Sequence, residues 1–349
     1  MSTDHVFPQA DWDIPRPVAT CRHLLEAARL HGIEAPDALI GTELTLADVD
    51  DNATEVQAGQ ELRLLRNILA HVSDPHTFAR DVGLQYNFAN TGLLGYAVLA
   101  SPTLGEALDI ACRYATLSST FLRLARYDTV DDAVIEFDDR AVPADVRTFM
   151  LERDLYAILK MVPLLIGQLG TDVLVKFELP GNVSLPAERL ESHRVTVVFE
   201  RAADRAALRI PSQVLGMAMP AADPAAAEAC AQQCDDLLQQ RRRRRGIAAL
   251  VRSRLVRDPG QLPSMAVVVD ELCTTERTLH RRLAAEHTSY RALVDEVRVT
   301  LALALLEAGL TVEETARQLG YSESAAFTRA FVRWTGMPPS RHRRRTSGR

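Results

Sequence analysis

Lysine is nearly missing from this chain of 349 residues: of its 40 basic side chains only Lys160 and Lys176 are lysine, and the rest are arginine. Aromatic residues are also scarce, at 5%. The five cysteines are odd in number and irregularly spaced. That argues against a disulfide framework and sets the expectation of a reducing cytoplasm. Long apolar runs are missing too, and GLLGYAVLA (92–100) is far too short to span a bilayer. The opening segment, MSTDHVFPQADWD, is polar and acidic, unlike a signal peptide. No P-loop, G-x-S-x-G, H-E-x-x-H or dinucleotide fingerprint occurs, which removes the common motif-bearing enzyme classes. The nine histidines are scattered, and His71 and His76 flank an expected helix junction. Cys230 and Cys234 stand one helical turn apart with no second Cys or His pair nearby, so no metal or cofactor is assigned.

What is present describes a globular chain of two domains. Length favours more than one core, hydrophobic content is 47%, and the mean hydropathy is −0.06. The formal net charge of −6 conceals a division. Residues 1–240 carry 19 Lys+Arg against 35 Asp+Glu, and residues 241–349 carry 21 Arg against 11 Asp+Glu. A net −16 body bearing a net +10 module points to a polyanion partner for the module, although an arginine-rich composition alone would also give a basic end. The boundary falls in AMPAADPAAAEACAQQCDDLLQQRRRRRG (218–246), Pro/Ala-rich at first, then polar and helix-prone, ending in five arginines. It reads as a linker over 221–246, with phosphate contact as a second role for the arginines.

The module contains one pattern twice. In TVEETARQLGYSESAAFTRAFVRWTG (311–336), Thr311 and Glu314 form a capping box, and Val312, Ala316 and Leu319 form one stripe. Gly320 allows the turn, and Ser322 is expected to cap a second helix with the stripe Phe327, Ala330, Phe331 and Trp334. The other face of that helix carries Ser324, Ala325, Thr328 and Arg329. The same grammar appears in SMAVVVDELCTTERTLHRRLAAE (264–286): Ser264 as cap, Met265, Val268, Val269 and Leu272 as stripe, then Leu279 and Leu283. The first helices repeat at an offset of 47 residues and the second at 48, which brings Arg277, His280 and Arg281 opposite Ala325, Thr328 and Arg329. SYRALVDEVRVTLALALLEAG (289–309) reads as one connecting helix, capped by Ser289, closed by Gly309, and packed through Leu293, Val297, Leu301, Ala304 and Leu305. Two helix-turn-helix units on such a helix can reach successive major-groove turns, roughly 34 Å apart.

On these residues the region 247–345 resembles the DNA-binding domain of AraC/XylS-type transcriptional regulators. The resemblance rests on ETARQLGYS (314–322), the RAF at 329–331, GMPPS (336–340) with Arg341, PGQLPS (259–264) and ERTLHRRLAAE (276–286). Upstream, residues 76–119 are similar to the arabinose-binding-type domain of one branch of that family. The first unit departs from the family pattern at Val269, where alanine is favoured, and at Cys273 and His287, where glycines are common. The resemblance implies a cytoplasmic regulator, an activator controlled by a small-molecule effector, with double-stranded DNA, RNA polymerase and a second copy of the chain as partners. A protein-interaction module without a small ligand is the alternative for the N-terminal domain. Arg277, His280, Arg281, Ser324, Ala325, Thr328 and Arg329 are the expected base readers, and Thr275, Arg282, Ser322, Arg333 and Arg341 the expected phosphate contacts.

The fold class expected is an α+β effector and dimerisation domain over 16–220, after a disordered 1–15, followed by an all-α double helix-turn-helix domain over 247–349. Helices are expected at 17–31, 55–72, 75–84, 92–100, 103–117 and 143–170, and strands at 120–127, 133–139, 173–179, 195–200 and 207–210. Phe121, Arg123, Phe137 and Tyr156 are candidates for an effector pocket. An enzyme reading would need a reactive cysteine in a recognisable setting, which Cys21, Cys112, Cys230 and Cys234 do not offer.

Overall fold

The structure, a computed structural model, describes residues 14–341 except 52–54, 182, 186–188, 202–204, 244, 245, 256–261, 273 and 287. The chain forms two compact units, one of Asp11–Arg244 and one containing Arg245–Arg349. Among the described residues no helix is long and apolar enough to cross a membrane.

The first unit mixes helices and strands. In chain order it contains β1 (Arg16–Pro17), α1 (Ala19–Leu30), α2 (Ala35–Ala38), α3 (Leu46–Asp50), β2 (Glu55–Val56), α4 (Ala58–Leu69), α5 (Pro75–Gly83), α6 (Leu93–Ala100) and α7 (Leu104–Arg113). There follow β3 (Arg123–Asp128), β4 (Asp132–Asp138), α8 (Arg147–Ile166), β5 (Val173–Leu179), β6 (Arg189–Ser192), β7 (Val195–Arg201), β8 (Ala206–Pro211) and α9 (Pro224–Arg243). The expected helices and strands are all present, with ends moved by a few residues. β6, the short helices α2 and α3, and the β1–β2 pair had no clear periodic signal. The main sheet has the order β3-β4-β8-β5-β7-β6, with β5 and β7 parallel and the other neighbours antiparallel. β5 buries Val173, Val175, Phe177 and Leu179 in alternation, the period of a strand with one covered face.

Two expectations change here. Disorder was expected through residue 15, yet Ile14 is only 1% exposed, and residues 1–13 lie outside the described ones. The expected linker instead holds α9, which packs on α6 and buries Ala227, Cys230, Cys234, Leu238 and Arg241. That stripe is built of small residues, cysteines and an arginine, so hydropathy periodicity registers it poorly. Arg241, from the arginine run, is buried: its Nε bonds Glu55 at 3.1 Å and its Nη1 donates to the Leu117 carbonyl at 3.2 Å. It belongs to the core of the first unit, which removes it from the candidates for phosphate.

Helix α8 is buried all round between Phe149 and Ala157, including three charged residues. Burial of charge is tolerated only with partners. Arg16 and Arg153, both fully buried, share Glu61: Arg16 Nε lies 2.8 Å from Glu61 Oε2, and Arg153 Nη1 lies 3.6 Å from Glu61 Oε1. Arg153 also pairs with Asp154 at 2.8 Å and donates to the Ser119 carbonyl at 2.7 Å. Arg16 donates to the Thr120 carbonyl at 3.0 Å and stacks over Phe121 at 3.9 Å. Four groups, two of each sign, thus tie β1, α4, α8 and the 118–121 segment together. Glu152 is held separately, by His76 Nδ1 at 2.7 Å and the Ser184 amide at 2.6 Å.

The second unit is all-helical: α10 (Ile247–Leu255), α11 (Met265–Glu271), α12 (Glu276–Ala285), α13 (Tyr290–Glu307), α14 (Val312–Gln318) and α15 (Ser324–Thr335). Its core runs through Val251, Val268, Leu279, Leu283, Leu293, Leu301, Ala316, Leu319, Phe327 and Phe331. Met265, Leu272, Val312 and Trp334 pack partly buried against it. Ala304 is half-buried, whereas Ala302, Leu303 and Leu306, on other faces of α13, are buried. Glu286, just after α12, caps α10: its carboxylate accepts the amides of Ile247 at 2.6 Å and Ala248 at 2.9 Å. A Cβ on Gly246 would stand 2.6 Å from that carboxylate, so a side chain there pushes the Glu286 tip away from its capping position.

Two stability changes follow from these contacts. Glu61→Ala strands two buried guanidiniums and should cost about 3–5 kcal/mol of unfolding free energy. A loss below ~1 kcal/mol in urea titration would show that the cluster does not hold the unit. Glu286→Ala exposes two orphan helix donors and should cost about 1–2 kcal/mol. Gly246→Ala should approach the same loss, and a second substitution at 286 should then add little, as a double-mutant cycle would report.

Candidate functional site

The two repeated units are built alike. In α11, Ser264 accepts the Val267 amide, and in α14, Thr311 and Glu314 complete the reciprocal capping box. Both first helices end with the same turn bond: Thr274 N–H to the Val269 carbonyl and Tyr321 N–H to the Ala316 carbonyl, each 2.9 Å. In the later helix-turn-helix Gly320 supplies the left-handed residue, with φ +76°. In the first, Cys273 lies outside the described residues, as does His287, and the closing bond at Thr274 forms all the same. Val269, the bulkier departure, is buried in the shared core.

The second helices start at Glu276 and Ser324, an offset of 48 against the 47 between Met265 and Val312. That offset sets Glu323 opposite Thr275, and this corrects the expected cap. Thr275 caps α12 by accepting the Thr278 amide, whereas α15 begins after Glu323 with no side-chain cap bond. Ser322 sits one residue too early, because the later turn is one residue longer. The first amides of α15 are therefore left to outside acceptors.

Arg277, His280, Arg281 and Arg282 are exposed along α12, and Ser324, Ala325 and Arg329 along α15. Thr328 is half-buried and returns its hydroxyl to the Ser324 carbonyl at 2.9 Å, so it offers outward chiefly a methyl group. Leu279 and Leu283, and Phe327 and Phe331, are fully buried on the opposite faces. Arg341 is exposed at the end of the described chain. Arg333 is less free: its guanidinium lies 3.6 Å from Asp295 on α13 and near the Trp334 ring, with its side chain 58% exposed. An exposed pair of this kind is worth at most about 1 kcal/mol, so Asp295 holds the side chain without committing it.

The first unit contains a cavity of about 160 Å³. Its walls come from α6, α7, α8 and the strands β3, β4 and β8, and they are almost wholly apolar: Leu94, Leu108, Leu124, Ile135, Phe137, Met161 and Leu208 are among them. One end is polar, where Tyr86, Ser119, Thr120 and Asp154 meet. Of the four residues considered from sequence, Phe137 is on the wall. Phe121 is buried beneath Arg16, Arg123 is exposed on β3, and Tyr156 donates its hydroxyl to the Ser184 carbonyl at 3.2 Å. The difference is one of parity: Leu122 and Leu124 face the cavity, so their neighbours in an extended chain turn away. Along α8 the wall residues Asp154, Ala157, Ile158 and Met161 keep helical spacing, a register Tyr156 misses.

Three of the described thiols are held in their unreactive form. Burial pushes Cys112 up to about 12 and Cys234 up to about 11, and it raises Cys21 further. A nucleophilic cysteine needs the opposite shift.

Known sequence families match both units. The arabinose-binding domain of AraC transcription regulators, N-terminal, matches residues 32–219, and a helix-turn-helix domain matches 268–345. A protein of Mycobacterium tuberculosis described as an uncharacterized HTH-type transcriptional regulator is 39% identical over 98% of this chain and 99% of its own length. The ornithine utilization regulator of Pseudomonas aeruginosa is 34% identical over 75% of this chain and 77% of its own. The crystal structure of the transcriptional regulator CdpR from Pseudomonas aeruginosa aligns with a TM-score of 0.41 at 26% identity, covering 93% of this chain and 97% of that one. With its arabinose-binding-type domain followed by two helix-turn-helix units, the chain belongs to the AraC family of DNA-binding transcriptional regulators.

Proposed function

We propose that the chain is an effector-responsive transcriptional activator whose second unit reads an asymmetric DNA site through α12 and α15 together. The observation that carries this reading is the repeat itself: two exposed helix faces in matching register, each backed by buried residues of one core. Arg281 and Arg277 pair with guanine edges and His280 supplies a further polar contact, arginine being suited to the O6 and N7 acceptors in the major groove. Ser324, Ala325, Thr328 and Arg329 form the second reading face, which relies more on methyl contacts and fit. Thr275, Arg282, Ser322, Arg333 and Arg341 sit toward phosphate, and the uncapped amides at the start of α15 favour an anion there. The apolar cavity of the first unit supports control by a small molecule over a ligand-free interaction module. Dimerisation through the first unit and contact with RNA polymerase complete the reading, in a cytoplasmic setting.

Because the second unit has its own core, a fragment of residues 245–349 should fold and bind DNA alone. Its affinity should drop steeply between low and physiological salt, as arginines displace counterions from phosphate. A flat salt response in fluorescence anisotropy would contradict this placement of the interface.

Base reading and positioning can be separated by selecting sites from random DNA. Arg281→Ala should cost about 1–3 kcal/mol on the preferred site and relax one or two base positions. Arg333→Ala should weaken all sequences alike and make the salt slope shallower by about one. Unchanged base preferences in Arg281→Ala would show that α12 does not read sequence.

A further inference from the structure

The cavity of the first unit has a chemistry of its own. Its polar end is electrically closed: the Asp154 carboxylate receives the Arg153 Nε at 2.9 Å on one oxygen and the Thr120 hydroxyl on the other. Neither a cation nor an anion entering the cavity would find an uncompensated partner there. One group is left over. Tyr86 is 4% exposed and is among the lining residues; its hydroxyl is covered at the polar end, with Ser119 as its near polar neighbour, and it makes no hydrogen bond of sound geometry. A buried phenol with an unused donor is costly, and a ligand oxygen would relieve it. Beyond that point the walls offer carbon, from Leu108 and Leu124 to Phe137 and Met161.

We propose that this cavity takes a small, uncharged hydrophobe bearing one oxygen, such as a phenol or a short-chain ketone, with that oxygen accepting from Tyr86. The proposal rests on the effector-control reading above and names the ligand class for it. Size agrees: an engineered cavity of about 150 Å³ holds a benzene ring, so about 160 Å³ accommodates a substituted ring or a short alkyl chain. A sugar would leave most of its hydroxyls facing carbon, and an amino acid would have to desolvate two charges against a neutralised Arg–Asp pair. The match to an arabinose-binding-type domain therefore describes the fold of the unit and not what fills it.

The test uses the full chain with 4-ethylphenol, 2-pentanone, ethylbenzene, L-arabinose and L-ornithine, in calorimetric titration and thermal melting. The two oxygenated hydrophobes should bind and raise the melting temperature, and the sugar and amino acid should do neither. Tyr86→Phe should weaken 4-ethylphenol roughly threefold to tenfold while leaving ethylbenzene unchanged. Since that variant removes an unpaired donor, its own melting temperature should not fall. Ala111→Leu and Ala157→Leu each narrow the cavity from a different helix, and either one, if folded, should abolish binding of both ring compounds. The proposal fails if neither oxygenated probe binds, if Tyr86→Phe affects both rings equally, or if arabinose or ornithine binds and is blocked by the filling variants. DNA affinity measured alongside separates the two readings. An oxygenated probe that binds without altering DNA affinity supports the ligand class and refutes effector control. Arabinose or ornithine altering DNA affinity, with the hydrophobes inert, refutes the ligand class alone.

Discussion

A guanidinium taken out of water must meet its partners, and that requirement organises this chain more than any other. Arg16 and Arg153 are buried because Glu61 stands between them and Asp154 beside one of them. Each arginine also donates to a backbone carbonyl of residues 118–120. The planar fork with five donors makes this arrangement available to arginine and not to lysine. Breaking the cluster exposes no surface to water directly. It leaves charge inside, which is why one carboxylate, Glu61, matters to four segments distant in sequence.

The same side chain serves the opposite purpose in the second unit. Along α12, Arg277, Arg281 and Arg282 are exposed and carry no ion pair among the described residues. Their cost of ordering is deferred until phosphate or a base edge supplies the acceptor. Helix α13 makes this possible. Helices of seven and ten residues cannot stand alone in water, and each unit borrows a wall from a helix buried on more than one side. Arg252 on α10 pins that helix through Glu296, at 2.6 and 3.2 Å.

Much of the reader was legible because its signals are local. The capping box at Thr311, the cap at Ser289 and the glycine turn at 320 each act within four residues, and all appear where the spacing put them. The misassigned cap at Ser322 shows the limit of local signals: a serine before a helix looked sufficient, but the one-residue difference between the turns selects Glu323. The cavity was less legible. Phe121 and Arg123 were reasonable by residue type, yet which parity of a strand faces inward depends on what packs against it. Tyr86, in the segment after α5, carried no periodic signal at all.

The sequence by itself determined the family, the division of charge between the two halves, and the register of the repeated helices. Each of these is carried by composition or by spacing of fewer than fifty residues. Only the tertiary structure decided that Arg241 is interior, that Glu61 joins two arginines, and that the Tyr86 hydroxyl sits buried at the polar end of an otherwise apolar cavity. Those facts depend on pairs far apart in the chain, such as Glu55 with Arg241 and Arg16 with Glu61. Whether a polar group is satisfied is settled by which distant partner folding brings within hydrogen-bond reach, and no local pattern encodes that distance.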